Sequence, residues 1–290
     1  MGKKLNTVPF EKATGSIRHN MTNDLCFHEV LISNNEALRG LIAALLHLNP
    51  EEIKVKLTNQ VMPGENTEEK EYTLDISVEL NDETSINLEM QVVNKHDWPE
   101  RSLLYLCRDF DNVERGSEYK DVRNTFHIGF LDFTLFKDHP EFYGTYRLRN
   151  VKDGYEYSSK FGLSVVELNH IEMATEEDKK FGIDKWAEVF KAKTWEELQM
   201  ITKDDKYLDS AARSVYMINQ DKAMINRMLK REDEIAYEKA IARDLENAKK
   251  ELAMKDNELT QKDIELAQKD NELAQKDAII QELKKKLEEK

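Results

Sequence analysis

Residues 72–93 read YTLDISVELNDETSINLEMQVV, and the alternation inside them decides the fold class. Leu74, Ile76, Val78 and Leu80 fall on one side of an extended chain, and Ile86, Leu88, Met90 and Val92 on one side of another. Successive side chains of a strand point to opposite faces, so each run is a strand with one apolar face. Asn81, Asp82 and Glu83 between them are turn-forming residues, which predicts an antiparallel hairpin. The opposite face then carries Asp75, Ser77 and Glu79 on the first strand and Asn87, Glu89, Gln91 and Val93 on the second. Residues paired across an antiparallel ladder stand roughly 4.5–5.5 Å apart at Cβ. Asp75 is therefore expected beside Glu89 and Gln91, close enough for two carboxylates to share a cation. An all-oxygen site suits hard Mg²⁺ or Mn²⁺. Such an ion lowers the pKa of its water and polarises a phosphoryl oxygen.

On the N-terminal side, residues 1–22 show no periodicity and read as a flexible, slightly basic lead-in. Thr22 or Asn23 can cap a helix beginning near Asp24. Phe27, Val30 and Leu31, then Leu38, Leu41, Ile42, Leu45 and Leu46, recur at helical spacing. Ser33, Asn34 and Asn35 break this run into two helices, and Asn49 with Pro50 ends it. Ile53–Leu57 is a further strand, and 62–66 a turn. On the C-terminal side, Asp97, Trp98, Pro99 and Glu100 look like a capped helix start with Glu100 at the capping-box position. That helix is expected to run to about Val113, with Gly116 stopping it. Thr125–Phe133 reads as a buried strand, Phe161–Met173 as one or two more, and 176–247 as a helical region.

The end of the chain is a repeat. KDNELTQ at 255–261 is followed by KDIELAQ at 262–268 and KDNELAQ at 269–275. Leu252, Leu259, Leu266, Leu273, Ile280 and Leu287 fall every seven residues, but the positions three or four further on are mostly Lys and Asp. One seam of a coiled coil is present and the second is missing, so 248–290 is expected to be a charged heptad-repeat helix that associates weakly.

The net charge of -14 argues against non-specific coating of nucleic acid, but not against a local basic groove. From Lys249 to Lys290 ten Lys face eleven acidic residues, so nearly all the excess charge lies upstream. Cys26 and Cys107, both placed on apolar faces of predicted helices, make neither a disulfide framework nor a zinc site, which fits a reducing, cytoplasmic setting. The first residues have no apolar signal region, and no stretch approaches the roughly 18 apolar residues of a membrane span. No phosphate-cradling loop, nucleophile elbow or dinucleotide fingerprint is present. His28, His96, His127 and His170 lack metal-ligand spacing and read as structural or surface residues.

Asp75, a hairpin and then Glu89, Met90 and Gln91 resemble the PD-(D/E)XK nuclease pattern, in which an Asp precedes (D/E)-x-K. More narrowly, several segments resemble the Rpn family of recombination-promoting nucleases, which are also described as transposases. They are Asn23 and Asp24 with Phe27, 74–76, 86–91, 101–105, 116–119, 128–133 and 167–173, in order over residues 20–175. The resemblance implies an α/β, restriction-endonuclease-like αβββαβ core over 23–175 and Mg²⁺-dependent DNA cleavage linked to recombination. It casts Asp75, Glu89 and Gln91 as catalytic. Asp75 and Glu89, with Asp24 from the first helix, become metal ligands. Gln91 stands where the pattern has Lys. Gln supplies no charge but can hydrogen-bond a water or a phosphate oxygen. Lys95 and Arg101 are then the candidates for phosphate contact. DNA is the expected partner, with self-association into a dimer through the tail. The alternative is a catalytically inactive nuclease fold that binds DNA or protein. Strand transfer cannot be read from these residues, and hydrolysis is preferred over it.

Overall fold

The computed structural model describes residues 8–58, 61–62, 72–73, 76–111, 116 and 118–288. They fall in two units, Met1–Glu238 and Lys239–Lys290.

In the first unit two helices lead into the sheet. Asn23 caps α1 (Asp24–Ser33) by accepting from the N–H groups of Leu25 and Cys26. Asn34 ends α1 and caps α2 (Asn35–Leu45) by accepting from Glu36 and Ala37, so the polar break seen in the sequence is one residue serving two helices. Next come β1 (Val55–Leu57), a small pair β2 (Val61–Met62) and β3 (Tyr72–Thr73), and the hairpin β4 (Ile76–Leu80) with β5 (Thr84–Gln91). The hairpin forms as the alternation predicts, with Ile76 opposite Leu88 and Leu80 opposite Thr84. Its turn places Asn81 and Asp82 at φ 52 and 59, a left-handed conformation that Asn and Asp tolerate better than most residues. The turn expected at 63–66 lies outside the described residues, and so does Asp75.

Helix α3 (Trp98–Phe110) crosses from β5 to β6 (Asn124–Leu131), and the chain continues through β7 (Tyr143–Arg147) and β8 (Phe161–Glu167). The sheet order is β1-β4-β5-β6-β8-β7. β5, β6 and β8 run parallel, which brings Gln91, Leu131 and Glu167 level at their carboxyl ends. Two expectations need correction, the Asp97 cap and the placing of Cys107. Asp97 stands at the cap position of α3 but accepts no capping hydrogen bond; Pro99 at the second helical position has no N–H to offer. The strand expected within Phe161–Met173 is β8, and Leu168–Met173 after it forms a 3-10 helix. Cys107 is exposed on α3 rather than set on its apolar face, while Cys26 is buried. Helix α3 itself ends at Phe110, and 112–115 lie outside the described residues.

Both faces of the sheet are covered. On one, Ile76, Val78, Ile86, Leu88, Met90, Ile128 and Phe130 are buried. There Phe130 packs against Phe27 of α1, with ring centroids 5.4 Å apart, and against Phe190 at 5.2 Å. Phe190 belongs to α5 (Ile183–Lys191), which follows the short α4 (Glu176–Phe181). α6 (Trp195–Thr202) and α7 (Lys206–Ile218) complete this layer. Asn34 of the first helix pair hydrogen-bonds Ser210 and Ser214 of α7 at 2.8 Å. The other face carries the polar residues and is roofed by α3, whose Trp98 packs with Leu131 and Val165. Helix α8 (Lys222–Glu288) begins in this unit and makes up the described part of the second. In the second unit Leu252, Leu259, Leu266, Leu273 and Ile280 are each about half exposed or more. No described helix is long and apolar enough to cross a membrane.

Candidate active site

Glu89 lies on β5, the third strand of six, beside Gly129 of β6. A Cβ on Gly129 would sit 2.1 Å from Cζ2 of Trp98, so only glycine lets that indole lie against the sheet. Trp98 opens α3, and its close seat brings the first turn of the helix down beside Glu89. Arg101, three residues and so nearly one turn later, reaches back so that its Nη2 lies 2.5 Å from Glu89 Oε1. Its guanidinium also stacks over the Tyr105 ring, 5.3 Å from the centroid. Gln91, two residues along the same strand face, donates from Nε2 to Glu89 Oε1 at 2.8 Å. The Glu89 side chain is only 1% exposed. A carboxylate that deep needs compensation, because removing an ion from water costs several kcal/mol; Arg101 and Gln91 supply it.

Behind Glu89 the same face holds His127 of β6, with Nε2 3.5 Å from Glu89 Oε2. Burial, and then the Arg101 guanidinium, lower the His127 pKa to about 3, so the imidazole is neutral. Asn87, its partner across the β5–β6 ladder, contacts its Nδ1 at 2.7 Å.

Beyond the end of β5 opens a polar cleft of about 240 Å³, lined by Asp24, Met90, Gln91, Val92, Val93, Lys95, Arg101, Arg231 and Glu238. Four residues singled out in the sequence thus line one cleft: Asp24, Gln91, Lys95 and Arg101. Two that sequence reasoning missed complete it, Arg231 and Glu238 of α8. Asp24 is held by Arg231 through a fork, Nη2 to Oδ2 at 2.6 Å and Nε to Oδ2 at 2.8 Å. That hydrogen bonding is the main reason the Arg231 pKa is raised. Lys95 Nζ lies 2.7 Å from Glu238 Oε2, and its hydrogen bond is the first cause of the lowered Glu238 pKa. No local pattern could have announced Arg231, which meets Asp24 from 207 positions away. A larger depression of about 1170 Å³ lies over the helical layer among Ala43, Phe181, Trp186 and Tyr207, and none of the cleft residues lines it.

The carboxylates of Glu89 and Asp24 and the Gln91 carbonyl are oxygen donors, of the kind a hard divalent cation takes. Glu89 and Asp24 each already face a guanidinium, a cation standing where a metal ion would be welcome. No cluster of three His, Cys, Asp or Glu side chains is gathered for a metal among the described residues.

A family model described as PD-(D/E)XK nuclease family transposase matches residues 21–244. No curated protein and no solved structure gives a match.

Proposed function

The chain belongs to the PD-(D/E)XK nuclease family transposases, and from that premise we propose that it hydrolyses DNA phosphodiesters at the cleft beside Glu89, using Mg²⁺ or Mn²⁺. The observation that carries the reading is a nearly fully buried carboxylate on a central strand, in contact with Gln91 and Arg101, which both line a polar cleft. Asp75 is proposed as the second metal-binding carboxylate. Its support is the register of the hairpin, which sets Ile76, the next residue, opposite Leu88, the residue before Glu89. Asp24 is proposed as a further ligand that becomes available when Arg231 releases it.

When bound, the cation would activate a water and polarise a phosphoryl oxygen. The rest falls to the protein. With its Nε2 donating to Glu89, Gln91 has its carbonyl oxygen to accept a hydrogen bond from the attacking water and so position it. Lys95 and Arg101 are proposed to bind the phosphates flanking the cut. The exposed heptad leucines of the second unit support self-association, and a dimer would bring two clefts to one duplex.

A second reading has its own support. Gln91 replaces the usual Lys, and Arg101 already neutralises Glu89, as in a nuclease fold that binds DNA or protein without cutting. Plasmid nicking separates the two. Cleavage that requires Mg²⁺ or Mn²⁺ and is lost in both Asp75→Asn and Glu89→Gln supports hydrolysis. DNA binding with no cleavage by the wild type would establish the silent form.

A further inference from the structure

Two polar side chains lie behind Glu89 where an apolar layer would ordinarily be: Asn87, 2% exposed, and His127, 1% exposed. Burying polar groups this deeply is costly unless they are paired. They face one another across the parallel β5–β6 ladder, with Asn87 Nδ2 2.7 Å from His127 Nδ1. Trp98 and Tyr105 close around the imidazole, with ring centroids 5.6 and 6.1 Å away. The remaining ring nitrogen, Nε2, lies 3.5 Å from Glu89 Oε2, and the two atoms do not hydrogen-bond each other.

The chemistry of the three groups fixes their arrangement. A carboxylate oxygen only accepts, so the ring proton is favoured on the nitrogen that faces it. In the neutral ring Nδ1 then holds the lone pair, and Asn87 must present its amide nitrogen to it. Were Asn87 turned the other way, the proton would sit on Nδ1 and a bare lone pair would face the carboxylate.

We propose that His127 is a positioning residue for the Glu89 carboxylate, held in its Nε2–H tautomer by Asn87. Glu89 is held at Oε1 by Arg101 and Gln91 and faced at Oε2 by His127 Nε2 across 3.5 Å, which biases the plane of the carboxylate before a cation arrives. The inference rests on reading Glu89 as a cation ligand.

The test uses the full chain. Mn²⁺ uptake is followed by the loss of the free-ion electron-paramagnetic-resonance signal, and plasmid nicking is measured in parallel. His127→Leu is expected to weaken Mn²⁺ binding about ten- to a hundred-fold, the usual effect of removing a partner that orients a metal ligand, and to lower kcat more than it raises KM. His127→Gln, whose amide nitrogen reaches the place of Nε2, is expected to restore most of the affinity. His127→Asn, which reaches only towards Asn87, is expected not to. Equal Mn²⁺ affinity in the wild type and all three variants overturns the proposal and leaves the nuclease reading standing. A wild type that neither takes up Mn²⁺ nor cuts DNA overturns both. Should the variants fail to fold, nitrogen-15 NMR of the wild-type ring decides: an Nε2–H imidazole supports the proposal, and an Nδ1–H or doubly protonated ring overturns it.

Discussion

Replacing Arg101 with Met keeps an apolar stem of similar length but removes the cation that lies 2.5 Å from a carboxylate 1% exposed. Breaking a fully buried pair from one side costs about 3–5 kcal/mol. The Arg101 side chain keeps 30% of its exposure, so water already screens part of the attraction and the expected loss is about 2–3 kcal/mol. Trp98, Trp186 and Trp195 all belong to the Met1–Glu238 unit, so tryptophan fluorescence in urea follows the unit that holds the site. With a denaturant slope of about 1–3 kcal/mol per M, the midpoint should fall by about 1 M. The loss should also depend on pH. Without Arg101, burial raises the Glu89 pKa above its unfolded value of about 4.3. An acid whose pKa is raised on folding binds protons more readily in the folded state, so stability is lost as pH rises through that window. The deficit should therefore be full near pH 8 and shrink towards about pH 5. Folded His127, with a pKa of about 3, stays neutral across this range in the wild type. Protonation of this histidine in the unfolded chain cancels between wild type and variant. Adding Glu89→Gln to the variant removes the stranded charge and should recover most of the loss. A deficit equal at both pH values, or no recovery in the double variant, would refute the assignment of Arg101 as the counter-charge of Glu89.

Gly129→Ala should destabilise the same unit by about 1–3 kcal/mol through overpacking, because the new Cβ meets Trp98 at 2.1 Å; thermal unfolding measures it, and adding Trp98→Leu should return part of the loss. Glu238→Gln frees Lys95 from its 2.7 Å partner. Duplex DNA held in Ca²⁺ should then bind a few-fold tighter, with a log–log salt dependence steeper by about one phosphate contact in fluorescence anisotropy; an unchanged slope counts against Lys95 as a phosphate ligand. Ending the chain at Ala248 removes the exposed heptad leucines, and sedimentation should show a smaller assembly while nicking persists at a reduced level.

The parts of this structure that the sequence announced are those whose causes are local. The β4–β5 hairpin follows from alternation plus two residues that tolerate positive φ, and the break between α1 and α2 from one Asn that caps while it terminates. The shared face of Glu89 and Gln91 needs nothing beyond period two. Strand β7 escaped notice because it is an edge strand of polar and aromatic residues with no clean alternation; its place is set by pairing with β8, as at Gly144 with Val165. The 3-10 helix at Leu168–Met173 reads as strand from its apolar residues, but it lies beyond the β6–β8 ladder, whose last pair is Leu131 with Glu167.

The cleft itself shows how a charge absent from one position can be supplied from others. Gln91 brings no positive charge to the strand, yet three cations line the cleft: Lys95 just past β5, Arg101 from α3 and Arg231 from α8. Each lies against a carboxylate, respectively Glu238, Glu89 and Asp24. Attraction between such pairs falls with the dielectric that separates them, so a cleft this well matched holds little net field for a phosphate to feel. A divalent ion placed against Glu89 or Asp24 would compete with a guanidinium for the same oxygens and leave that guanidinium to other anions. On this argument, metal and DNA should bind cooperatively, each tightening the other by the same factor. Titrating Mn²⁺ with and without a duplex tests it, and equal affinities in the two titrations would mean that Arg101 and Arg231 stay with their carboxylates throughout.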